Sequence, residues 1–394
     1  MRYIDQMDIT GKKLLVRVDY NVPMKDGSIT DDSRIQASLD TLLYCLNQGA
    51  AVILCSHMGK PKGKVVSELS MAPVAKRLEE LLEKVVTTAS DIVGEDATAK
   101  AADLAPGEVL LLENLRFDPG EQKNDPEFSR KLAGLADIYV DDAFGVAHRA
   151  HASVVGVTEH APACCAGLLL KREMDYLNMV VEGPERPYVA ISGGAKVSTK
   201  LGVLYALLEK VDRIIIGGAM ANTFLKAQGY SVGASLVEED LLDDARMIMK
   251  RAMDKGVGFY LPVDFIMGTD PKGGIASGVK PFQDIPDGEM TLDTGPASHA
   301  LFAEVLKDAK TIIWNGPLGV FENPAFSQGS VGMAHLVAGL DATTIVGGGD
   351  TDALIHLCKI EDKFSFISTG GGSFLEYLQG RELPAIKALK ECAR

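Results

Sequence analysis

Cysteine, tryptophan, membrane-length apolar runs and the common nucleotide signatures are all scarce or missing in this sequence, and each absence removes a class of function. The six cysteines (Cys45, Cys55, Cys164, Cys165, Cys358 and Cys392) show no CxxC spacing. Neither a zinc site nor a disulfide framework is therefore expected, and most of the thiols read as small buried apolar groups. No run approaches the ~18 uninterrupted apolar residues of a membrane span. The nearest, Ala161 to Leu170, is closed by Lys171 and Arg172. The N-terminal MRYIDQMD carries acids where a secretory signal would have its apolar core, so a cytoplasmic protein with no membrane partner is expected. No stretch matches GxGxxG, and no Gly-Lys pair is followed by the Ser or Thr of a P-loop, which disfavours an ordinary dinucleotide enzyme. Positive charge is also in deficit. With 40 Lys and Arg against 54 Asp and Glu, the net charge of −14 argues against nucleic acid as a partner and requires any anionic ligand to find a locally basic surface.

Glycine is what the chain has in excess, with 40 in 394 residues. That length implies two or three domains at about 150 residues each. In the second half, apolar runs at Tyr188–Ile191, Arg213–Ile216, Thr311–Trp314, Thr343–Val346 and Phe364–Ile367 end in SGGAK, GGAM, NGP, GGGDT and STGGG, and a helix-compatible segment follows each. Strands this short and apolar on both faces, alternating with helices, predict a parallel sheet covered on both sides. Ligands of such sheets bind beyond the carboxyl ends of the strands, where these glycines fall. The first half repeats the pattern with different chemistry. Leu14–Val18 leads into DYNVP, Ala51–Cys55 into SHMGKP, Val109–Leu112 into ENLRF and Ile138–Val140 into DDAFGVAHRAH, with a helix expected over Ile35 to Leu46. The expected fold is α/β: two doubly wound, Rossmann-like lobes of parallel sheet joined by a hinge helix. The lobes are drawn at 1–170 and 184–379, with the connector at 171–183, where Met174, Leu177 and Val181 share a helical face before a Gly-Pro break.

Several stretches suit anions. SGGAKVSTK puts Lys196 and Lys200 four apart at the expected start of a helix, where the macrodipole disfavours cations unless an anion is present. In GGGDT, glycines allow close approach to the backbone, Thr351 can cap a helix or bond a phosphate oxygen, and Asp350 can act as an N-cap or hold Mg²⁺. In the first lobe Arg34, Arg116 and Arg149 lie near strand–helix junctions beside His57, Lys60, His148 and His151, a set able to clamp a small polyanion if it converges. The acidic VEEDLLDDAR reads as a solvated helix face, and Trp314 as core. Two readings compete for such a chain: a two-lobed solute-binding protein, and a kinase that makes the acyl phosphate of a small acid such as acetate. The acidic N-terminus and the lysine edge oppose the first; three arginines argue for a more highly charged substrate than the second would use.

Taken in order, RVDYNVP, SHMGKP, LLLENLRF, DDAFGVAHRAH, SGGAKVSTK, GGAM, WNGPLGVFE, GGGDT and STGGG span essentially the whole chain, and this series resembles the phosphoglycerate kinase family in its bacterial form. The resemblance implies reversible transfer of a phosphoryl group from 1,3-bisphosphoglycerate to Mg-ADP, giving 3-phosphoglycerate and Mg-ATP, by closure of two lobes in a monomer. It implies that Asp19, Asn21, Arg34, His57, Lys60, Arg116 and Arg149 hold the glycerate ligand. Lys196, Lys200, Gly218, Asn315, Glu322, Gly348, Gly349, Asp350 and Thr351 would hold the nucleotide, with Asp350 on Mg²⁺ and Glu322 on the ribose. Gly193, Gly194, Gly371 and Gly372 would present backbone to phosphate, and Arg34 and Lys200 would stabilise the transferring group. The tail, 380–394, would pack back on the first lobe. Two positions depart from the family pattern: Lys60 stands where Arg is common, and Asp141 where Asn is usual.

Overall fold

Short strands that are apolar on both faces need cover on both sides, and in the computed structural model, which describes residues 1–392, two parallel sheets provide it. The first unit contains β1 (Lys13–Arg17), a small hairpin of β2 (Met24–Lys25) and β3 (Ser28–Ile29), then β4 (Ala51–Cys55), β5 (Val86–Thr88), β6 (Val109–Leu111), β7 (Ile138–Asp141) and β8 (Cys164–Ala166). Its sheet runs β5-β6-β4-β1-β7-β8, all parallel. Arg17 is in register with Cys55 on one side and Asp141 on the other, so the chain leaves all three central strands at one edge. Alternate strand residues Leu14, Val16, Val52, Leu54, Val109 and Leu111 pack with Ile35, Leu42 and Leu78 from the covering helices. Each such side chain contributes roughly 1.5–3 kcal/mol when fully buried.

The second unit contains β9 (Tyr188–Ser192), β10 (Arg213–Ile216), β11 (Gly258–Tyr260), β12 (Asp264–Gly268), β13 (Gly278–Pro281), β14 (Met290–Thr294), β15 (Thr311–Asn315), β16 (Thr343–Gly347) and β17 (Phe366–Ser368). Its main sheet runs β11-β10-β9-β15-β16-β17, again parallel, and Asn315 is level with both Ser192 and Gly347. The glycines that follow β9, β10, β15, β16 and β17 therefore share one edge. A separate antiparallel sheet, β13-β12-β14, has no counterpart in the sequence reading. Trp314 is fully buried in the core, with its indole N–H donating to the Gly316 carbonyl at 2.8 Å. No helix among the described residues is long and apolar enough to cross a membrane.

Three features differ from expectation. The helix expected over Ile35 to Leu46 is two helices, Ser33–Ala37 and Leu39–Asn47, parted at Ser38. The Ser38 hydroxyl donates back to the Ile35 carbonyl at 2.8 Å and also bonds the Tyr20 hydroxyl, competing with the regular helical pattern. The helix expected to connect the lobes starts earlier, at Leu168, and runs to Glu182; the chain divides inside it, between Asp175 and Tyr176. It returns to the first unit at Glu382, and the helix Pro384–Cys392 buries Ile386 and Leu389 there, with the Ala385 amide donating to the Ala147 carbonyl at 3.1 Å. Residues 393 and 394 of the expected tail lie outside the described residues. The third difference is a correction. Cys164 and Cys392 form a disulfide with Cα atoms 6.0 Å apart. Their separation of 228 residues leaves no spacing motif to read, because the pairing is made by the returning helix.

A disulfide closing so long a loop typically contributes about 2–4 kcal/mol. Reduction with dithiothreitol, or the substitution Cys392→Ser, is expected to lower the calorimetric melting temperature of the first unit. An identical melting temperature before and after reduction would show that the covalent link adds nothing to the packing of the helix.

Candidate functional site

In the first unit the edge beyond β1, β4 and β6 gathers most of the cationic candidates around one imidazole. Asp19 follows β1, and its carboxylate accepts from Arg34 Nη1 at 2.9 Å; the same Nη1 reaches the Asn21 carbonyl at 3.3 Å. The Asn21 side chain accepts from the Gly59 amide at 2.8 Å, which ties the loop after β1 to the loop after β4. Arg116 is 4% exposed and donates to the Gly59 carbonyl at 2.7 Å, while its Nε has no hydrogen-bond partner. Burial, then Arg149 and Arg17, depress Arg116 to about 10. His57 is buried, and burial followed by Arg17, Arg116, Arg149 and Arg34 holds it well below its ordinary value, so the ring is neutral. Its 3.9 Å approach to Asp19 is therefore not an ion pair. Lys60 is exposed at the rim. His151, pushed by burial and the arginines down to about 4, is likewise neutral. The result is a concentrated positive field inside an acidic protein, as an anion of several charges requires.

Asp141 does not face this field as a free carboxylate. It is fully buried, Oδ1 accepts from the Ala143 amide at 3.0 Å, and Oδ2 has no partner. Burial raises it to about 6 against the opposing effects of that amide and Arg17, and raises neighbouring Asp142 to about 7.

The second unit presents a different surface at its edge. A cavity of about 320 Å³ is lined by Gly194, Lys196, Lys200, Asn315, Gly316, Gly348, Gly349, Asp350, Thr351 and Gly371, among others. The helix expected to carry both lysines begins only at Leu201, so Lys196 and Lys200 do not share a helical face: Lys196 is exposed and Lys200 buried. The preceding turn is held otherwise, because Glu238 accepts from the Ser198 amide at 3.0 Å and from its hydroxyl. This gives one residue of the supposedly solvated acidic stretch a structural task. Lys200 donates to the Asn315 carbonyl at 2.7 Å and to the Asn315 side-chain oxygen, both neutral acceptors. Burial lowers it to about 7, with Asp350 opposing.

The helix Gly349–Cys358 starts at the cavity, so its first-turn amides and Asp350 border the space. Gly348 has φ of 102°, open to glycine, and a Cβ there would lie 2.6 Å from Asn315 Nδ2. Thr351 uses its buried hydroxyl to accept from the Gly316 amide at 2.6 Å, joining two strand ends, so its oxygen is already engaged. Gly371 begins the helix Gly371–Leu378 and lines the cavity; Gly372 follows it, exposed. Gly193 and Gly218 are where loops meet: a Cβ on Gly193 would strike the Pro317 carbonyl, and one on Gly218 would lie 2.6 Å from Gly194 backbone.

A second cavity of about 350 Å³ adjoins this one and shares Gly194, Ala195 and Asp350 with it. Its walls include Leu236, Phe265, Met290, Leu292, Leu318 and Val320, with Gly218 and Glu322 also lining it. An apolar slot beside an amide-rich, cationic pocket suits a flat ring attached to phosphates. The sequence reading missed these walls, because apolar residues on β12 and β14 look like ordinary core. Leu318 and Val320 carried the available signal, being apolar on either side of Gly319 in a loop.

The phosphoglycerate kinase family model matches residues 4–381. The phosphoglycerate kinase of Maridesulfovibrio salexigens is 57% identical over 99% of this chain and 100% of its own, and that of Clostridium botulinum strain Alaska E43 is 53% identical over 98% of each. Among solved structures, phosphoglycerate kinase from Coxiella burnetii superposes with a TM-score of 0.89 at 44% identity, and that from Pyrococcus horikoshii OT3 with 0.86 at 32%; both cover 100% of this chain and 99% of their own.

Asp141 sets a stability test. A carboxyl whose folded value is raised to about 6 binds its proton more tightly folded than unfolded, so its contribution is most favourable at low pH. Stability then falls as pH rises from about 4, the unfolded value, through the folded one. Asp141→Asn is expected to flatten the melting-temperature profile across that window and to stabilise the protein at pH 8 by on the order of 1–3 kcal/mol. Calorimetry in a pH series checks it; a variant less stable at pH 8 would mean the carboxylate is solvated or paired.

Proposed function

This chain belongs to the phosphoglycerate kinase family, and from that premise we propose which of its residues carry the family's reaction. The reaction is phosphoryl transfer between the acyl phosphate of 1,3-bisphosphoglycerate and ADP. Attack by an ADP oxygen on phosphorus displaces a carboxylate, and in reverse that carboxylate attacks ATP. Both nucleophiles are already ionised at neutral pH, so no general base is needed and catalysis rests on alignment and charge neutralisation. His57, whose proton affinity is lowered by burial and by the surrounding arginines, fits a neutral donor better than a base.

In this reading Asp19, Asn21, Arg34, His57, Lys60, Arg116 and Arg149 hold the glycerate ligand. The base of the nucleotide lies in the apolar slot with Glu322 at the ribose, and the phosphates lie against Gly348, Gly349 and the first turn of Gly349–Cys358. Lys196, Lys200, Gly218, Asn315 and Thr351 complete that side, with Gly193, Gly194, Gly371 and Gly372 giving the backbone room. The observation that carries the assignment is Lys200, buried against neutral oxygens beside a cavity and awaiting an anion. Mg²⁺ suits Asp350, since it is commonly held by one or two carboxylates together with nucleotide phosphates and water. Bound there, the ion would neutralise phosphate charge. In this reading the enzyme works as a cytoplasmic monomer.

Arg34→Ala and Lys200→Ala are each expected to reduce kcat on the order of 10²-fold or more, with a smaller effect on the KM for nucleotide. Near-normal turnover in either variant removes that residue from the assignment. With Lys200 lowered to about 7, Mg-ADP binding at pH 8 is expected to take up a proton as the phosphates restore its charge. Calorimetry in two buffers of different ionisation enthalpy reads this uptake, and it should vanish in Lys200→Met. Because the acyl phosphate would hydrolyse in open water, we also expect closure with both ligands bound. Solution scattering should show a smaller radius of gyration for the doubly liganded enzyme than for the free one.

A further inference from the structure

One buried cation takes no place in the assignment above. Arg17, the last residue of β1, is fully buried and lies within the motif RVDYNVP. Its guanidinium is held in three directions. Nε donates to the Ser153 hydroxyl at 3.0 Å, Nη1 donates to the Val18 carbonyl, and Nη2 lies 3.2 Å from His57 Nδ1. Ser153 is fixed in turn by Glu121, itself fully buried, which accepts from the Ser153 hydroxyl at 2.7 Å and from its amide at 2.9 Å.

The chemistry of that 3.2 Å contact is decided by the arginine. A guanidinium has five N–H donors and no acceptor, so the imidazole nitrogen facing it supplies a lone pair. The competing arrangement, with a proton on Nδ1 directed at Asp19, is weaker on every count. Asp19 Oδ1 is 3.9 Å away and already accepts from the Asn21 amide at 3.3 Å, while Oδ2 is taken by Arg34. A doubly protonated ring is opposed as well, by burial first and then by the charges of Arg17, Arg116, Arg149 and Arg34, with Asp19 the nearby carboxylate.

We propose that Arg17 is a positioning residue that fixes His57 as the neutral tautomer protonated at Nε2, so that the ring meets the anionic substrate as a hydrogen-bond donor without carrying charge. Arg17 acts through His57 and does not touch the ligand, being fully buried. Ser153 and Glu121 hold its plane, as second partners commonly orient a functional imidazole. The substrate part of this inference rests on the assignment of His57 to the glycerate ligand; the tautomer does not.

The test uses the full-length enzyme labelled with ¹⁵N-histidine, with His57 identified by its loss in His57→Gln. Long-range ¹H–¹⁵N correlation of the ligand-free protein should show one Nε2–H tautomer for His57 from about pH 8 to about pH 6, where an ordinary imidazole would be titrating. A proton on Nδ1, a mixture of tautomers, or ordinary titration in the wild-type enzyme overturns the proposal. Arg17→Met should release the ring into a tautomer mixture that titrates nearer its ordinary value, and should raise the KM for 3-phosphoglycerate about tenfold while leaving that for Mg-ADP unchanged. Should that variant not fold, Ser153→Ala keeps the arginine but removes its Nε acceptor and is expected to shift the His57 spectrum in the same direction. A spectrum unchanged in the variant measured refutes the positioning role. Calorimetric titration of His57→Gln with 3-phosphoglycerate separates the two readings: unchanged affinity would sink the substrate assignment and leave the tautomer result standing.

Discussion

Positive charge removed from water without a carboxylate to match it is the constraint on which both halves of this enzyme depend. Lys200 is met by two neutral oxygens of Asn315, and Arg116 by a backbone carbonyl, with one of its nitrogens unpartnered. Desolvating an ion costs several kcal/mol even after relaxation, and here the protein supplies little of the compensation. The fold tolerates the expense because strand pairing and core packing hold these residues at the sheet edges regardless. In the proposed assignment an incoming phosphate supplies the missing partner. This is preorganisation in a concrete sense, since the cations are placed before the charge they stabilise arrives.

The two units reach that condition by different routes on the same scaffold. Each has a six-stranded parallel sheet with its first strand, β1 or β9, near the middle of the order, and each carries its candidate loops beyond the carboxyl ends. The first crowds guanidinium groups around a neutral imidazole, a surface suited to a small ligand dense in charge. The second offers glycine backbone and helix amides, with one buried ammonium and an apolar slot alongside, a surface suited to a larger ligand with both a ring and phosphates. Family membership over nearly the whole chain accords with this division.

Much of this was legible in the sequence, for a physical reason. A strand buried on both faces has to be short, apolar and sharply ended, so runs such as Thr343–Val346 announced both the sheet and the edge where Asp350 sits. Features that depend on non-local pairing were invisible. Cys164 and Cys392 meet because a helix returns across 228 residues. Lys196 and Lys200 read as helical neighbours, but Glu238, from a distant acidic turn, binds Ser198, and the helix starts only at Leu201. Arg17, Ser153 and Glu121 gave no sign of forming a buried chain, because a charged residue at a strand end normally faces solvent. The walls of the apolar slot were hidden for the opposite reason: Phe265 and Leu292 look like core wherever they fall.

The return of the chain at Glu382 has a consequence for how the protein is made. The residues that complete the first unit, including Leu383, Ile386 and Leu389, are synthesised only after the whole second unit. Domains that are contiguous in sequence can fold as they emerge from the ribosome. Here the second unit has that freedom and the first does not: its seam against Ala152–Gly156 and β8 stays open until the residues beyond Glu382 have been made. The first unit is completed only after the second has been made, and during that interval its open seam is a reason to need a chaperone.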